Sequence, residues 1–327
     1  MKAWGITAGL LLTLAGLGAK SGNAVDAISS ERDAAERALM LGQVDAAVDG
    51  LHNLLTKNPK DAQAHLLLCR AFYAEDLPDA AVDECEAAMD GLSDSSEAQD
   101  WLGRACGMKA QNAGPIAGYK LARRVQAAFE RAVNLDPKNS AAVDDLAEYY
   151  IGAPAIIGGG VDKAEALANR VLSVAPQAAH RTRALAAEAN KDYSRAEREF
   201  RAAVGVAGRP DAWVDLGHYY ARRKQYDLAV DALRKCLTAD PRMDAAVVDA
   251  ASILMEMDSE RETAERSLRG YLSGKAKSDA APAFKVHEQL GSVLMKKGDA
   301  AGAKIEFEEA LKLVHDYAPA KRALQSL

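Results

Sequence analysis

Aromatic residues are scarce: five Phe, three Trp and ten Tyr make up 6% of 327 residues. Prolines number only ten, spread along the whole chain. Strand-rich folds draw on aromatic side chains and on turn-forming Pro and Gly, so an all-β sandwich or barrel is excluded. The four cysteines, Cys69, Cys85, Cys106 and Cys236, include no Cys-x-x-Cys pair, which removes zinc ribbons and dithiol redox motifs. Positive charge is not in excess: 41 Lys and Arg stand against 47 Asp and Glu, a net charge of -6. A general binder of phosphate backbones needs the opposite balance, so no nucleic-acid partner is expected. Motifs that carry chemistry are missing too. His287-Glu288 is followed by Gln289-Leu290-Gly291 with no second His, and there is no G-x-S-x-G, Walker loop or dinucleotide fingerprint. The six histidines lie far apart, so no metal site, cofactor or catalytic residue is expected.

What the chain has in abundance is alanine, roughly one residue in five, the strongest helix former and one small enough to let helices approach closely. The chain reads as all-α. It opens on Lys2 and an apolar stretch, Ile6–Leu17, followed by polar residues and small residues at Gly22 and Ala24. That order is the pattern of a secretory signal peptide, and the apolar run falls short of the ~20 residues that span a bilayer. Residues 1–24 are therefore expected to be removed, after Ala24 or alternatively after Ala27. No Cys follows the apolar run to carry a lipid, and no later segment is long and apolar enough to span. Removal takes away Lys2 and Lys20 and no acid, moving the net charge from -6 to -8. The expected location is exported, periplasmic or extracellular, with no integral membrane segment in the mature chain.

The remainder repeats. Counted from Pro210, Trp213 falls at position 4, Leu216 at 7, Gly217 at 8, Tyr220 at 11, Ala229 at 20, Leu233 at 24, Cys236 at 27 and Pro241 at 32. Positions 4, 7, 8 and 11 share one face of a first helix, and 20, 24 and 27 one face of a second. Pro241 is expected to end the second helix. The unit resembles a tetratricopeptide repeat, W-x2-L-G-x2-Y, A-x3-F and P in 34 residues. The register recurs, as in Val143, Leu146, Ala147 and Tyr150 with Ala164, Ala168 and Val171, or Leu290, Gly291 and Leu294 with Ala303, Phe307 and Ala310. A third unit is placed with Trp101 at position 4 and Ala105 at position 8. The resemblance implies a right-handed superhelix of about eight antiparallel helix pairs over residues 28–327, with 318–327 as a closing helix.

Two units carry Gly- and Pro-bearing insertions, 112–119 and 152–160, expected as loops on one edge with apolar tips Ile116, Tyr119, Ile156 and Ile157. In repeats of this kind, first helices line a concave groove. The positions that would face it include Leu66, Arg70 and Tyr73 in the second unit, Leu102 and Lys109 in the third, Asp144, Asp145 and Glu148 in the fourth, Arg181 in the fifth and Asp215 in the sixth; Tyr149 is expected at the surface. The family's carboxylate clamp of Lys and Asn side chains has no counterpart here. Charge alternates along the stack: residues 60–100 hold eleven acids and two bases, residues 101–140 seven bases and two acids. The cysteines are expected as buried packing thiols, with a Cys69–Cys85 bridge, between positions 8 and 24 of one unit, as the alternative.

The function expected from this is a non-catalytic scaffold that binds a protein or peptide partner through the groove, the inserted loops or both. The alternatives are a self-assembling envelope protein, self-association being possible for this chain, and a carbohydrate-active enzyme.

Overall fold

The computed structural model describes residues 18–239, 244–258, 260–275 and 277–327, with side chains from Ser29 onward. The first seventeen residues of the expected leader and the helix-ending role of Pro241 lie outside the described residues. The described chain is α-helical, with no strand. Its helices follow as pairs: α1 (Gly18–Met40) and α2 (Val44–Lys57); α3 (Ala62–Ala74) and α4 (Pro78–Leu92); α5 (Ser96–Gln111) and α6 (Pro115–Leu135); α7 (Ser140–Gly152) and α8 (Val161–Val171); α9 (Pro176–Ala189) and α10 (Tyr193–Ala207); α11 (Pro210–Arg222) and α12 (Tyr226–Ala239); α13 (Ala245–Glu256) and α14 (Arg261–Ser273); α15 (Ala283–Lys296) and α16 (Ala300–Leu313). A last helix, α17 (Ala318–Gln325), packs on α16.

Local chemistry sets these boundaries. The side chains of Asp61, Ser95, Asn139, Asp192 and Asp299 each accept a hydrogen bond from the backbone N–H three residues on, satisfying a donor that the first turn leaves open. Pro78, Pro115, Pro176 and Pro210 stand in first turns, where a missing N–H costs nothing. Each helix buries one stripe: in α8 it is Ala164, Leu167, Ala168 and Val171, spaced three and four apart. No pair could bury its stripe alone, and stacking covers it.

Consecutive first helices touch along the stack, as α3 with α5, α5 with α7, α7 with α9 and α11 with α13, whereas α2 and α4 or α10 and α12 scarcely meet. The stack therefore curves with its first helices inside, as an all-α solenoid. Inside each pair a small residue lets the helices cross. A Cβ on Gly217 would stand 2.7 Å from Leu233, and one on Gly291 2.5 Å from Phe307. In the third pair the equivalent residue is Gly103, whose added Cβ would stand 2.4 Å from Phe129. The register expected there is thus corrected by two residues: the Ser95 cap starts α5 at Ser96, and Gly103, not Ala105, sits at the crossing. Trp101 consequently leaves the core stripe and turns toward the inner face. In the second pair the crossing is covalent. Cys69 and Cys85 form a disulfide with their Cα atoms 5.1 Å apart, while the Cys106 and Cys236 side chains are buried, Cys236 Sγ lying 3.6 Å from the Ala246 carbonyl.

The two insertions differ. Residues 115–119 are not loop but the opening turn of α6, because Pro115 starts the helix and nothing after it stops it; only 112–114 connect α5 to α6. Residues 153–160 do form a loop, with a single 3-10 turn at Ala155–Ile157. It lies against α6: a Cβ on Gly158 would meet the Gln126 amide.

Candidate functional site

The inner face is a ladder of arginines and carboxylates. Arg70 on α3 reaches Glu97 on α5 at 3.2 Å and Glu36 on α1 at 4.0 Å. Arg104 on α5 pairs with Asp100 at 3.0 Å and with Asp145 on α7 at 2.5 Å. Arg181 on α9 takes Glu148 on α7 at 2.6 Å, Asp144 on α7 at 3.4 Å and Asp215 on α11 at 3.0 Å. Arg222 on α11 returns to Glu188 on α9 at 2.7 Å. Each arginine ties first helices of neighbouring pairs, and several partners are one repeat length apart in sequence: 34 residues for Arg181–Asp215 and for Arg222–Glu188. Trp101 closes the upper part of the ladder. The guanidinium of Arg104 lies 4.8 Å and that of Arg70 5.6 Å from its ring centroid, and Tyr73 meets it edge-on at 5.4 Å.

Carboxylates outnumber the arginines on this face, and burial first and crowding second raise several of them. Burial pushes Asp144 up to about 7; Arg181 opposes the shift and Asp215 and Glu148 add to it. Asp100 is likewise pushed up to about 7 by burial, with Arg104 opposing and Asp145 reinforcing. Asp249 on α13, which carries no ion pair among the described residues, is raised to about 6 by burial and then by Asp215 and Asp244. Burial alone would lower the Arg181 guanidinium, but Asp215, Asp144 and Glu148 outweigh it and raise it. Beside Arg181 lie two adjoining hollows. The larger, of about 460 Å³, is bordered by Lys138, Asp144, Pro176, Arg209, Val214 and Asp249. The smaller, of about 240 Å³, is bordered by Glu148, Leu185, Phe200, Asp215 and His218.

The expected binding residues divide. Arg70 and Tyr73 are on the inner face. Leu66 is not: at 2% exposure it is buried against Ala88 and Ala98. Leu102 is half-buried, and Lys109 turns to Asp79 at the start of α4, 2.9 Å away, as the two-residue shift of α5 requires. Ile116, Tyr119 and Ile156 are exposed. Ile157 is half-buried, and Tyr149 is a fastener rather than a free surface residue: its hydroxyl donates to the carbonyl of Ile157 and bridges to that of Ala122 at 2.9 Å. The Lys163 ammonium holds the Gly158 carbonyl at 2.7 Å. Sequence reasoning missed Trp101, Arg104 and Asp249. The signal for the rungs was present as opposite charges one repeat apart on first helices. Among the described residues no group of three His, Cys, Asp or Glu is placed to hold a metal ion, and no helix is long and apolar enough to cross a membrane.

The tetratricopeptide repeat profile matches residues 32–96 and 181–244, and a second profile of the same description matches residues 284–313. The chain belongs to the tetratricopeptide repeat family. Solved structures, among them tetratricopeptide repeat (TPR) proteins, are similar to it at low identity. Yeast Tom70 is 15% identical, with 86% of this chain and 59% of that one covered and a TM-score of 0.51. A thermophilic TPR protein of Thermus thermophilus is 17% identical, with 70% and 99% covered and a TM-score of 0.47. A TPR protein of Parabacteroides merdae is 12% identical, with 92% and 98% covered and a TM-score of 0.46. No curated protein matches the chain. The TPR fold is mostly a non-catalytic scaffold for contacts between proteins, and the ladder of α1 to α13 lines the face that such a scaffold offers.

Proposed function

We propose that this TPR protein is an exported, non-catalytic scaffold whose inner face takes an extended partner segment rich in Lys and Arg. The observation that carries the reading is the surplus of carboxylates on that face. Glu36, Glu97, Asp100, Asp144, Asp145, Glu148, Glu188, Asp215 and Asp249 stand against Arg70, Arg104, Arg181 and Arg222, with Lys138 and Arg209 at the border of the larger hollow. Burial first and neighbouring carboxylates second keep Asp100, Asp144 and Asp249 raised, and a partner's cations would offset the second cause. Val214, Pro176 and Leu185 at the hollows would cover the apolar stems of long basic side chains. Such charge pairing steers encounter and orientation more than it adds affinity. Export is supported by the leader pattern of residues 1–24 and by the Cys69–Cys85 bridge, since disulfides persist in oxidising compartments.

The test is fluorescence anisotropy with labelled arginine-rich and glutamate-rich peptides of equal length at two salt concentrations. The arginine-rich peptide should bind, more weakly as salt rises, and Asp249→Lys should weaken it further. Equal binding of both peptides sinks the reading. Amino-terminal sequencing of the secreted protein should find Val25 or Ile28 first, and Met1 on the mature soluble protein would contradict export.

A second reading rests on the exposed Ile116 and Tyr119 of α6 and on Ile156, carried by the loop that packs on α6 at Ala122 and Gln126. Shortening Ala153–Gly160 to a tight turn should then weaken capture of a protein partner while leaving helicity unchanged; unchanged capture removes this edge from consideration.

A further inference from the structure

The two ends of the solenoid meet. Arg70 Nε, on α3, donates to Asp279 Oδ2 at 2.7 Å, a pair 209 residues apart in sequence with each side chain only 10% exposed. The Lys285 ammonium, on α15, donates to both carboxylate oxygens of Asp76, after α3, at 3.0 Å. The backbone N–H of His315, between α16 and α17, donates to Asp45 on α2 at 2.9 Å, and its ring Nδ1 lies 2.8 Å from the same oxygen. Apolar packing follows the charges. One buried cluster includes Leu39, Leu51 and Leu68 at the beginning of the chain and Phe284, Leu290 and Tyr317 near its end. Between the ends, Gly42 has φ 76°, and a Cβ there would stand 2.7 Å from the backbone nitrogen of Ala283. Only glycine allows both that backbone and that approach.

We propose that these contacts form an intramolecular clasp that closes the superhelix into a ring and opens as a unit. Three features support a built contact rather than chance proximity of two ends. The signs complement each other at all three polar points: Arg70 with Asp279, Asp76 with Lys285, Asp45 with His315. The segment that carries Asp279 is itself fastened, because the Tyr271 hydroxyl donates to the Ala281 carbonyl at 2.7 Å and the Lys277 ammonium donates to the carbonyls of Tyr271, Leu272 and Gly274 at 2.7–2.8 Å. And the approach at Gly42 leaves no room for a side chain. The clasp also reaches the inner face. Arg70 belongs to the ladder and stacks near Trp101, so closure holds one of its donors on Asp279, and opening frees that donor for the groove.

Zero-length carbodiimide cross-linking of the whole protein tests this. It joins the Asp76 carboxylate to the Lys285 amine as an amide when the two are in contact. The wild type at low salt should yield the 76–285 peptide pair in the monomer band. Asp76→Lys and Lys285→Asp should each abolish it and give a larger maximum dimension in solution scattering, and the double exchange should restore the compact dimension. Ala283→Glu, a wedge at the first residue of α15, should enlarge the molecule with helicity unchanged. The proposal is overturned if the wild-type monomer yields no such pair. It is also overturned if the pair appears only between differently isotope-labelled copies, or if both charge reversals leave the dimensions unchanged.

Discussion

Asp100 shows how the inner face is set at the level of single residues. It stands on α5 between Arg104 and Asp145, with its side chain 4% exposed, and its pKa is raised to about 7 from an ordinary 3.8. Asp144, one pair along, is raised to the same value, again first by burial. Between about pH 4 and 7 the folded chain therefore holds protons that the unfolded chain has released. Stability falls with rising pH wherever the native state binds more protons, so these two groups reduce it through that window and their penalty is complete above it. In a Asp100→Asn or Asp144→Asn variant that part of the slope is absent. The urea midpoint of each variant, relative to the wild type, should rise from pH 4.5 to pH 7.5; a constant difference would show that the carboxyls are not raised. Neither residue's protonation could be read from the sequence, because its first cause is burial between stacked pairs, which one unit alone does not create. Trp101 carries the same lesson. Tryptophan fits position 4 of the repeat so well that it draws the register to itself, but the Ser95 cap and the close approach of Gly103 to Phe129 decide where α5 begins.

At the scale of the helix pair, three units share a contact that the repeat pattern does not contain. His65 with Glu84, His180 with Glu199 and His287 with Glu306 each join Nδ1 to a carboxylate oxygen at 2.6–2.8 Å, always nineteen residues apart. The histidine occupies position 4, where the best-matching unit has Trp213, and the glutamate lies on the second helix, so a polar clip stands in for aromatic packing. A double-mutant cycle on His180→Ala and Glu199→Ala should give a coupling of ~0.5–1.5 kcal/mol, as for a part-buried hydrogen bond, and additive effects would mean that the two do not interact. The second pair has a stronger fastening. The Cys69–Cys85 bridge closes a loop with a sequence separation of 16. Cross-linking a loop of that size restricts the unfolded chain by ~3 kcal/mol. Replacing both cysteines with alanine, or adding reductant to the wild type, should lower the unfolding free energy by about that amount in the same direction. Reductant without effect would show free thiols. The positions of both cysteines were legible as packing sites, and the bond as the alternative to buried thiols, because positions 8 and 24 face each other in a unit but spacing does not fix whether two thiols are oxidised. The inserted residues 112–119 read as a loop because Gly and Pro break helices. Pro115 instead starts one, the single position at which proline favours a helix.

For the whole molecule, stacking was legible and closure was not. The 34-residue period fixes which faces each pair must cover, so the paired helices and their order follow from the apolar positions alone. Whether the last pair meets the first depends on a small rotation accumulated over all of them, which no single unit records. The difference has a measurable consequence. In an open stack, instability introduced at one end spreads to the neighbours and fades before the other end. In a closed one, the last pair is a neighbour of the first. Leu51 on α2 is fully buried within the cluster that also holds Phe284, Leu290 and Tyr317. Leu51→Ala should cost ~2–5 kcal/mol, as for a buried leucine whose cavity cannot collapse. Hydrogen exchange should then rise in α3 and α4, the neighbours along the chain, and also in α15 to α17, more than 200 residues away, while α7 to α10 on the far side of the ring keep their protection. Exchange that rises in α1 to α4 and leaves α15 to α17 as protected as in the wild type would mean that each end is stable on its own. The ring would then be no more than a contact between two independent stacks.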